Sequence, residues 1–307
     1  MTEYLPEGEL YKSPSNVQNI SCITALEEML RKGTIAEAVC TLCDSSHNLI
    51  VDLGFTQGII PRTEGAIGIE DGTTRDIALI SRVNKPVCFT VKSIERNISG
   101  KPTVILSRKN AQEKCMKNYI SKLVCGDIIN ARVTHLEPFG AFVDIGCGIP
   151  SLIPIDLISV SRISHPSDRF VTGQSIKAAV KTIDSGKITL THKELLGTWQ
   201  ENADMYSMGE TVTGIVRSVE DYGIFVELAP NLAGLAEVRD GVEAGNMVSV
   251  YIKAIIPEKM KIKLIIVDSF TAENKKPLPY KYFNDSGHID SWIYSTESCL
   301  KNVRTDF

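Results

Sequence analysis

Apolar and polar residues alternate along many short segments of this chain. In KIKL (261–264) each apolar residue follows a lysine, and the same period of two recurs in TVILSR (103–108) and KITLTH (187–192). Successive side chains of a β-strand point to opposite faces of the sheet. The alternation therefore predicts half-buried strands, separated by turns that glycine and proline favour.

One long segment of the chain is repeated. GDIINARVTHLEPFGAFVDIGCGIPSLIP, which begins at Gly126, aligns without a gap on GETVTGIVRSVEDYGIFVELAPNLAGLAE, which begins at Gly209. A weaker third copy begins near Gly33, where HNLIVDLG (47–54) takes the place of FGAFVDIG (139–146). Self-similarity of this kind indicates three copies of one structural unit.

Each unit offers about five short strands with Gly- or Pro-bearing turns, which is the content of a small Greek-key barrel. We therefore expect a mainly β protein of three tandem OB-type five-stranded barrels joined by short helices. The predicted segments are an N-terminal tail and short helix (1–32), a degenerate barrel (33–108), a helical linker (109–124), a barrel (125–193), a helical linker (194–208), a barrel (209–268) and an aromatic-rich tail (269–307).

Apolar residues recur at intervals of three and four in the segments between the units, which predicts helices that pack against the barrels. One such stripe consists of Leu196, Trp199, Ala203 and Tyr206. A further short helix is predicted over 22–32, with Thr24 and Glu27 as a capping box. The C-terminal tail is expected to fold back onto the last barrel, because exposed aromatic clusters need a partner; its aromatic residues are Tyr280, Tyr282, Phe283, Trp292 and Tyr294.

Composition narrows the possible functions. The 307 residues carry a formal charge of -4, so any nucleic-acid binding must come from local features and not from a general basic excess. Residues 1–19 are polar and no segment reaches the length of a membrane span, so we expect a cytoplasmic protein without membrane contact. Eight scattered cysteines, with one C-x-x-C at Cys40 and Cys43, are expected to be reduced and to bind no metal or other cofactor.

The second strand of a unit shows which face binds. In the middle unit Ala141, Val143 and Ile145 form one face, so Phe142 projects from the other face together with Asp144. An exposed ring beside a charge is typical of a platform on which a nucleic-acid base stacks. The glycine at position 140 permits a bend that would bring Phe139 to the same side.

The third unit repeats this arrangement, with Phe225 and Glu227 outward and Tyr222 before a glycine. The first unit has His47 and Ile50 instead of the rings and is expected to stack bases poorly. Positive charges on the outward side of the later strands would follow a phosphate backbone beside the rings. The predicted contacts on these strands are Lys177, Lys181 and Lys187 in the middle unit and Tyr251, Lys253, Lys261 and Lys263 in the third. Packing of the rings against linkers and ordinary solvation of the lysines remain the alternative.

Residues 126–192 resemble the S1 RNA-binding domain, whose pattern includes an opening Gly, Phe-Gly-x-Phe-Val and a closing Lys-Ile-x-Leu. Three such units cover Gly33 to Ile266, and the sequence looks like the short ribosomal protein S1 homologues of Gram-positive anaerobes. The resemblance implies binding of single-stranded RNA, including messenger RNA, and association with the small ribosomal subunit. It also implies that RNA contacts Phe139, Phe142, Asp184 and Lys187 in the middle unit and Tyr222 and Phe225 in the third.

The chain departs from the family pattern at one position. The family pattern also contains a Gly-Leu-x-His step. The position of its histidine is occupied by Pro61, Pro154 and Glu237 in the three units, and His165 lies nearby in RISHPSDRF. We expect an RNA-binding protein of translation, with an RNA-binding regulator or RNA-decay accessory as the alternative. Catalysis is not expected, because the chain has no Walker loop, dinucleotide fingerprint or zincin motif.

Overall fold

A computed structural model describes residues 4–96, 102–184, 186–271 and 280–307. Parts of the predicted segments at 1–3, 97–101, 185 and 272–279 lie outside the described residues. By internal contacts the chain divides into two compact units. One contains residues 1–123, 130–132 and 144–150, and the other contains residues 124–129, 133–143 and 151–307.

The described chain is mainly β-structure, as predicted. Its strands are β1 (Ala36–Cys43), β2 (Leu49–Asp52), β3 (Gln57–Ile60), β4 (Pro86–Arg96), β5 (Pro102–Ser107), β6 (Ile128–Glu137), β7 (Gly140–Asp144), β8 (Pro150–Pro154), β9 (Ser175–Asp184), β10 (Lys187–Thr191), β11 (Thr211–Glu220), β12 (Gly223–Ala229), β13 (Leu232–Ala236), β14 (Met247–Ile256), β15 (Lys261–Phe270), β16 (Ser291–Ile293) and β17 (Arg304–Asp306). Its α-helices are α1 (Pro14–Asn19), α2 (Ile23–Lys32), α3 (Ile77–Ile80), α4 (Arg108–Asn118) and α5 (Trp199–Ala203).

The first fifteen strands form three closed five-stranded barrels, which confirms the predicted fold class. Their strand orders are β1-β2-β3-β5-β4, β10-β8-β7-β6-β9 and β11-β12-β13-β15-β14. The third and fifth strands of each barrel pair in parallel, whereas pairs such as β1 with β2, β9 with β10 and β11 with β12 are antiparallel. A closed barrel leaves no free sheet edge, so ligands must be bound on its outer faces or in its loops.

Each barrel has its own apolar interior, and the second strand supplies the predicted residues to it. Ala141, Val143 and Ile145 of the middle barrel are fully or almost fully buried, as are Ile224 and Val226 of the third. The period of two therefore assigned the inward face correctly in both repeats.

The linkers are helical in part. The first contains α4 and a 3-10 turn at Ile120–Lys122, close to the predicted span. The second is not one helix, because Gly197 has a left-handed φ of 84° between a 3-10 turn at Lys193–Leu196 and α5. Leu196, Trp199 and Ala203 of its apolar stripe are buried as expected.

Two helix starts differ from expectation. The predicted capping box of Thr24 and Glu27 is wrong, because α2 has Cys22 as N-cap and no side chain caps it. A capping box does occur at α5, where the Thr198 hydroxyl accepts a hydrogen bond from the Glu201 N–H at 3.2 Å. Glu201 in turn accepts from the Thr198 N–H at 2.7 Å.

The C-terminal tail folds back, as predicted, but it covers more than the last barrel. Trp292 and Tyr294 are buried in the core cluster of the third barrel, and the Tyr294 hydroxyl donates to the Asn231 carbonyl at 2.7 Å. Tyr280 and Tyr282 instead pack edge-on against His192, which follows the last strand of the middle barrel. Burial of His192 lowers its pKa to about 4, so the ring is neutral near pH 7.

Candidate nucleic-acid interface

Two rings stand together on the outer face of the middle barrel. Phe139 and Phe142 have ring centroids 5.9 Å apart and planes at 90°, and Phe139 is 55% exposed. The His135 ring lies on the other side of Phe142, 6.5 Å away and tilted by 25°. Phe142 is half-buried between its neighbours, so the three rings form one aromatic surface. The structure thus brings together the two residues that the repeat singled out.

The third barrel carries the same pair in the same geometry. Tyr222 and Phe225 are 6.1 Å apart with planes at 87°, and Tyr222 is 70% exposed. Ser218 pairs with Phe225 across β11 and β12, at the position that His135 holds in the repeat. We call the group of neighbouring rings on each of these two barrels its platform. The platform of the third barrel has two rings, and that of the middle barrel has three.

The glycine between the two rings of each pair has a steric reason. A Cβ on Gly140 would lie 2.5 Å from the carbonyl oxygen of Ile153, and one on Gly223 would lie 2.7 Å from that of Ala236. The neighbouring strand thus passes too close for any side chain at this position. Close approach of the neighbouring strand accounts for a glycine at both positions, and the bend expected at Gly140 stays a prediction.

The first barrel presents aliphatic residues on the corresponding face. Ile50 pairs with Ile59, which pairs with Ile105 across the parallel strands, and Leu42 beside Ile50 is 54% exposed. His47 has a φ of 61° in the turn that precedes β2. In the described part of this barrel, Ile50 stands where the middle barrel has Phe142, and the His47 imidazole stands where it has Phe139.

Two of the predicted lysines of the middle barrel are occupied by the tail. The Lys177 ammonium donates to the Asp285 carbonyl, and its backbone N–H donates to the Tyr282 hydroxyl at 3.0 Å. The Lys181 ammonium donates to the Asp306 carbonyl at 3.1 Å and lies 4.9 Å from the centre of the Phe307 ring. The tail, which was not predicted to reach β9, thus contacts both lysines, and their role along a phosphate backbone stays a prediction.

Lys187 and Asp184 belong to the last two strands of the same barrel. They are partners across β9 and β10, and both are exposed. The structure thus leaves this predicted pair accessible to a ligand.

The third barrel places a lysine in line with its rings. Phe225 pairs with Leu235, and Leu235 pairs with Lys263 on the parallel strand β15. Residues paired across strands share a face, so the exposed Lys263 lies on the ring side, two strand spacings or about 10 Å from Phe225. Tyr251 pairs with Ile265, two residues beyond Lys263, and is 39% exposed on the same face.

The other two predicted lysines of this barrel are also exposed. Lys261 begins β15, and Lys253 lies at a register shift of β14. The Lys253 ammonium is 3.9 Å from the Glu237 carboxylate, which stands where the family has its histidine. Both side chains are largely exposed, so this ion pair is weak and Lys253 remains available to a phosphate.

Asp144 does not stand beside Phe142 on a solvent-facing surface, contrary to expectation. It is 3% exposed and accepts hydrogen bonds from the backbone N–H groups of Glu7 at 2.7 Å and Gly146 at 2.8 Å. Burial raises the pKa of Asp144 to about 7, and the nearby Glu7 carboxylate adds to the shift. The N-terminal segment covers this residue, which makes Asp144 a structural carboxylate.

Glu227 is likewise buried, although the alternation placed it outward. Its carboxylate receives the Arg169 guanidinium at 2.8 Å and a second hydrogen bond from Arg217. Arg217 also lies 3.3 Å from the Asp168 carboxylate. Alternating charges thus join the loop before β9 to the face of the third barrel.

Sequence reasoning missed Arg169 and Arg217, although RISHPSDRF was noticed for its histidine. The structure gives His165 a local role. Its side chain caps the 3-10 turn at Pro166–Asp168, accepting from the Ser167 N–H at 3.1 Å. The proline and the Asp three residues after His165 were the available signal for this cap.

In the part of the chain that the structure describes, no group of three or more His, Cys, Asp or Glu side chains could hold a metal ion. All eight cysteines are free. Among the described helices, none combines the length and the apolar character needed to cross a bilayer.

Comparison with known proteins places the middle barrel in a family. Residues 122–193 match the S1 RNA binding domain. The chain is 30% identical over 247 residues to the small ribosomal subunit protein bS1 of Leuconostoc lactis, a match that covers 75% of this chain and 54% of that protein. It is 29% identical to a bS1 homolog of Bacillus cereus over 88% of this chain and 72% of the relative, and 27% identical to the bS1 homolog of Bacillus subtilis over 84% and 66%.

The match to the Leuconostoc protein spans about half of the length of that relative. The family match coincides with the barrel that carries Phe139 and Phe142, and the Bacillus matches extend over most of the chain. Residues 122–193 thus match the S1 RNA binding domain, and over most of its length the chain is similar to small ribosomal subunit protein bS1 and its homologs.

Proposed function

We propose that this protein binds single-stranded RNA by stacking bases on the two ring pairs. We also propose that it acts in translation, because the proteins it resembles are named as proteins of the small ribosomal subunit. The observation that carries the proposal is the recurrence of one exposed, perpendicular ring pair on two barrels. A single exposed pair has ordinary packing explanations, whereas two pairs at matching positions of a repeat indicate a shared function. The match of the middle barrel to the S1 RNA binding domain supports the same conclusion.

The chemistry of the platforms suits unpaired bases. Every base has an aromatic face, so stacking on phenylalanine or tyrosine does not require a particular sequence. Bases within a duplex already stack on one another and would have to leave that stack to reach the rings. We therefore expect a clear preference for single strands.

Positive charge accompanies each platform in a modest amount. Lys187 is exposed on the middle barrel, and Lys261, Lys263 and Lys253 are exposed on the third. These ammonium groups can neutralise phosphates of a strand that passes over the rings. The first barrel, with isoleucines on the corresponding face, is assigned no stacking role.

Truncation of the rings tests the proposal. Phe142→Ala and Phe225→Ala should each weaken binding of a fluorescent single-stranded RNA by about 1–3 kcal/mol, because each removes one stacking surface. The double variant should be weaker than either single variant. Fluorescence anisotropy titrations measure these affinities, and thermal unfolding checks that each variant is folded.

Phe55→Ala is the matched control, because Phe55 is 45% exposed and belongs to neither platform. It should bind as the unaltered protein does. A folded double variant with unchanged affinity would exclude stacking on these rings. Co-sedimentation with small ribosomal subunits, measured on the unaltered protein, separates a role in translation from that of an RNA-binding regulator away from the ribosome.

A further inference from the structure

A cavity lies beside the ring pair of the third barrel. It encloses about 720 Å³ between the loop of residues 160–168 and strand β11. This volume is in the range of pockets that bind small molecules and single nucleotide units. Tyr222 and Phe225 line the cavity, so it opens directly onto the proposed stacking platform.

The loop wall of this cavity is held in place by the backbone. The Val160 N–H donates to the Asn231 side-chain oxygen at 3.0 Å, and the Ser161 N–H donates to the Pro230 carbonyl at 3.1 Å. Asn231 is itself fully buried. The start of the loop is therefore fixed to the turn between β12 and β13.

Buried charges fix the other end of the loop. Arg169, which is fully buried, donates to the Glu227 carboxylate at 2.8 Å and to the Ser159 hydroxyl at 3.2 Å. Asp168 lies 3.3 Å from the Arg217 guanidinium on β11. Because separating such buried partners would leave uncompensated charges, the loop is a preformed wall.

Exposed polar groups also line the cavity. Arg162 lines it, is exposed, and makes no hydrogen bond or ion pair with any residue that the structure describes. Glu220, on the β11 side, lines it and is exposed as well. Ser164 and Ser167 add hydroxyl groups on the loop side.

We propose that this cavity receives one unpaired nucleotide of a bound RNA strand and reads its base. The proposal rests on the proposed function, since the strand must first lie on the platform. Arg162 donates to the phosphate of that nucleotide, because a guanidinium presents paired donors that match phosphate oxygens. The base leaves the row stacked on Tyr222 and Phe225 and enters the space between the loop and β11.

The polar side chains that line the cavity can distinguish one base from another, whereas a ring on which a base stacks cannot. A base held there has its edge near the Glu220 carboxylate, which accepts hydrogen bonds, and near hydroxyls, which donate or accept. Recognition of unpaired bases through such edge contacts is how proteins read single-stranded RNA by sequence. Binding should therefore depend on base identity at one position of the strand and little elsewhere.

Site-specific crosslinking tests the location of this nucleotide. An RNA oligonucleotide carrying a single 4-thiouridine, moved along the strand one position at a time, is irradiated with the full-length protein. Mass spectrometry should find crosslinks to residues 160–168 from one position, and crosslinks to the segment around Phe225 from its neighbours. Crosslinks that never reach the loop would overturn the proposal.

Two variants test the contribution to affinity. Arg162→Ala should weaken binding by about fivefold to tenfold through loss of a charge-assisted contact. Ala244→Trp, at an exposed position that lines the cavity, should fill the space and abolish the dependence on base identity. Arg75→Ala is the matched control, because Arg75 is exposed, belongs to the first barrel's unit and loses the same charge.

The outcomes separate this inference from the proposed function. If the unaltered protein does not bind single-stranded RNA, the proposed function fails. If it binds and the ring variants bind weakly, but Arg162→Ala and Ala244→Trp bind normally, the cavity is not a nucleotide site of the RNA. Free guanosine or adenosine monophosphate should not compete with RNA at micromolar concentration, and tight competition would identify a mononucleotide site instead.

Discussion

Carboxylates that appear outward by their spacing are buried in both repeats, and their chemistry is that of protein interiors. Glu227 lies between two guanidinium groups, while Asp144 accepts three backbone N–H groups and has a pKa of about 7. Neither residue can carry the solvent-facing charge beside a ring that the alternation predicted. The difference has one cause, because in each case a segment distant in sequence covers the strand.

Glu37 provides a pH-dependent test at the scale of a residue. Burial raises its pKa to about 8, while its carboxylate accepts from the backbone N–H groups of Gly8 and Tyr11 at 2.9 Å each. The pKa in the folded state lies above the ordinary value of 4.5, so the folded state binds the proton more tightly than the unfolded state. Stability from this group is fully present below about pH 4.5 and is lost as the pH rises to about 8.

The Glu37→Gln variant should therefore become more stable relative to the unaltered protein as the pH rises from 5 to 8.5. Glutamine keeps an acceptor for Gly8 and Tyr11 and has no proton to lose. The difference in melting temperature between the two proteins, measured at each pH, isolates Glu37 from other titrating groups. A difference that does not change with pH would show that Glu37 is ionised in the folded protein throughout.

The strands β9 and β15 have similar patterns of lysines, but these lysines have different surroundings. Those of β9 are bound by the tail, whereas Lys261 and Lys263 of β15 are exposed. The tail contacts β9 through its own residues Asp285, Asp306 and Phe307. The charges of Lys177 and Lys181 on β9 are thus already compensated in part by carbonyl groups of the tail.

Paired substitutions should show the difference in RNA affinity. Lys261→Ala with Lys263→Ala should weaken binding about tenfold at low salt, because two phosphates lose their counter-charges. Lys177→Ala with Lys181→Ala removes the same charge and should change affinity by less than about twofold, since these groups face the tail. Anisotropy titrations compare the two pairs, and a stronger effect of the β9 pair would mean that the tail moves aside when RNA binds.

Local pattern was sufficient for the strands, the barrel repeats and the ring pairs. The inward sets around Val143 and Val226 follow from a period of two, and the outward rings follow from the same rule. What local pattern could not supply is contact between distant segments: Glu7 over Asp144, Arg169 on Glu227 and the tail over Lys177. The break at Gly197 is of the same kind, because a Cβ there would lie 2.5 Å from the Phe283 ring.

The net charge of -4 limits how the whole molecule responds to salt. The logarithm of affinity for a single strand falls by about 0.7 per phosphate contact for each unit rise in the logarithm of salt concentration. Five exposed cations are proposed to contact RNA, namely Lys187, Lys253, Lys261, Lys263 and Arg162. Most of the binding free energy should therefore come from stacking, which salt does not screen.

Affinity for one oligonucleotide, free and annealed to its complement, should be measured over a salt series. We expect a slope of about -2 to -4 and weaker binding to the duplex. The middle and third barrels can contribute together to this value, because both platforms belong to one chain. Tighter binding to the duplex, or a slope near -10, would mean that a basic surface other than these lysines carries the interaction.

The ion network of Arg169, Glu227 and Arg217 has a consequence for dissecting the protein. Glu227 belongs to the third barrel, but one of its two cationic partners comes from the loop before β9, in the sequence of the middle barrel. A fragment that begins at the third barrel would keep a buried carboxylate with half of its compensation and would lose one wall of the cavity. The third barrel is therefore a repeat in sequence but is structurally incomplete without the loop before β9. Its RNA affinity should be measured on a protein that also contains the middle barrel.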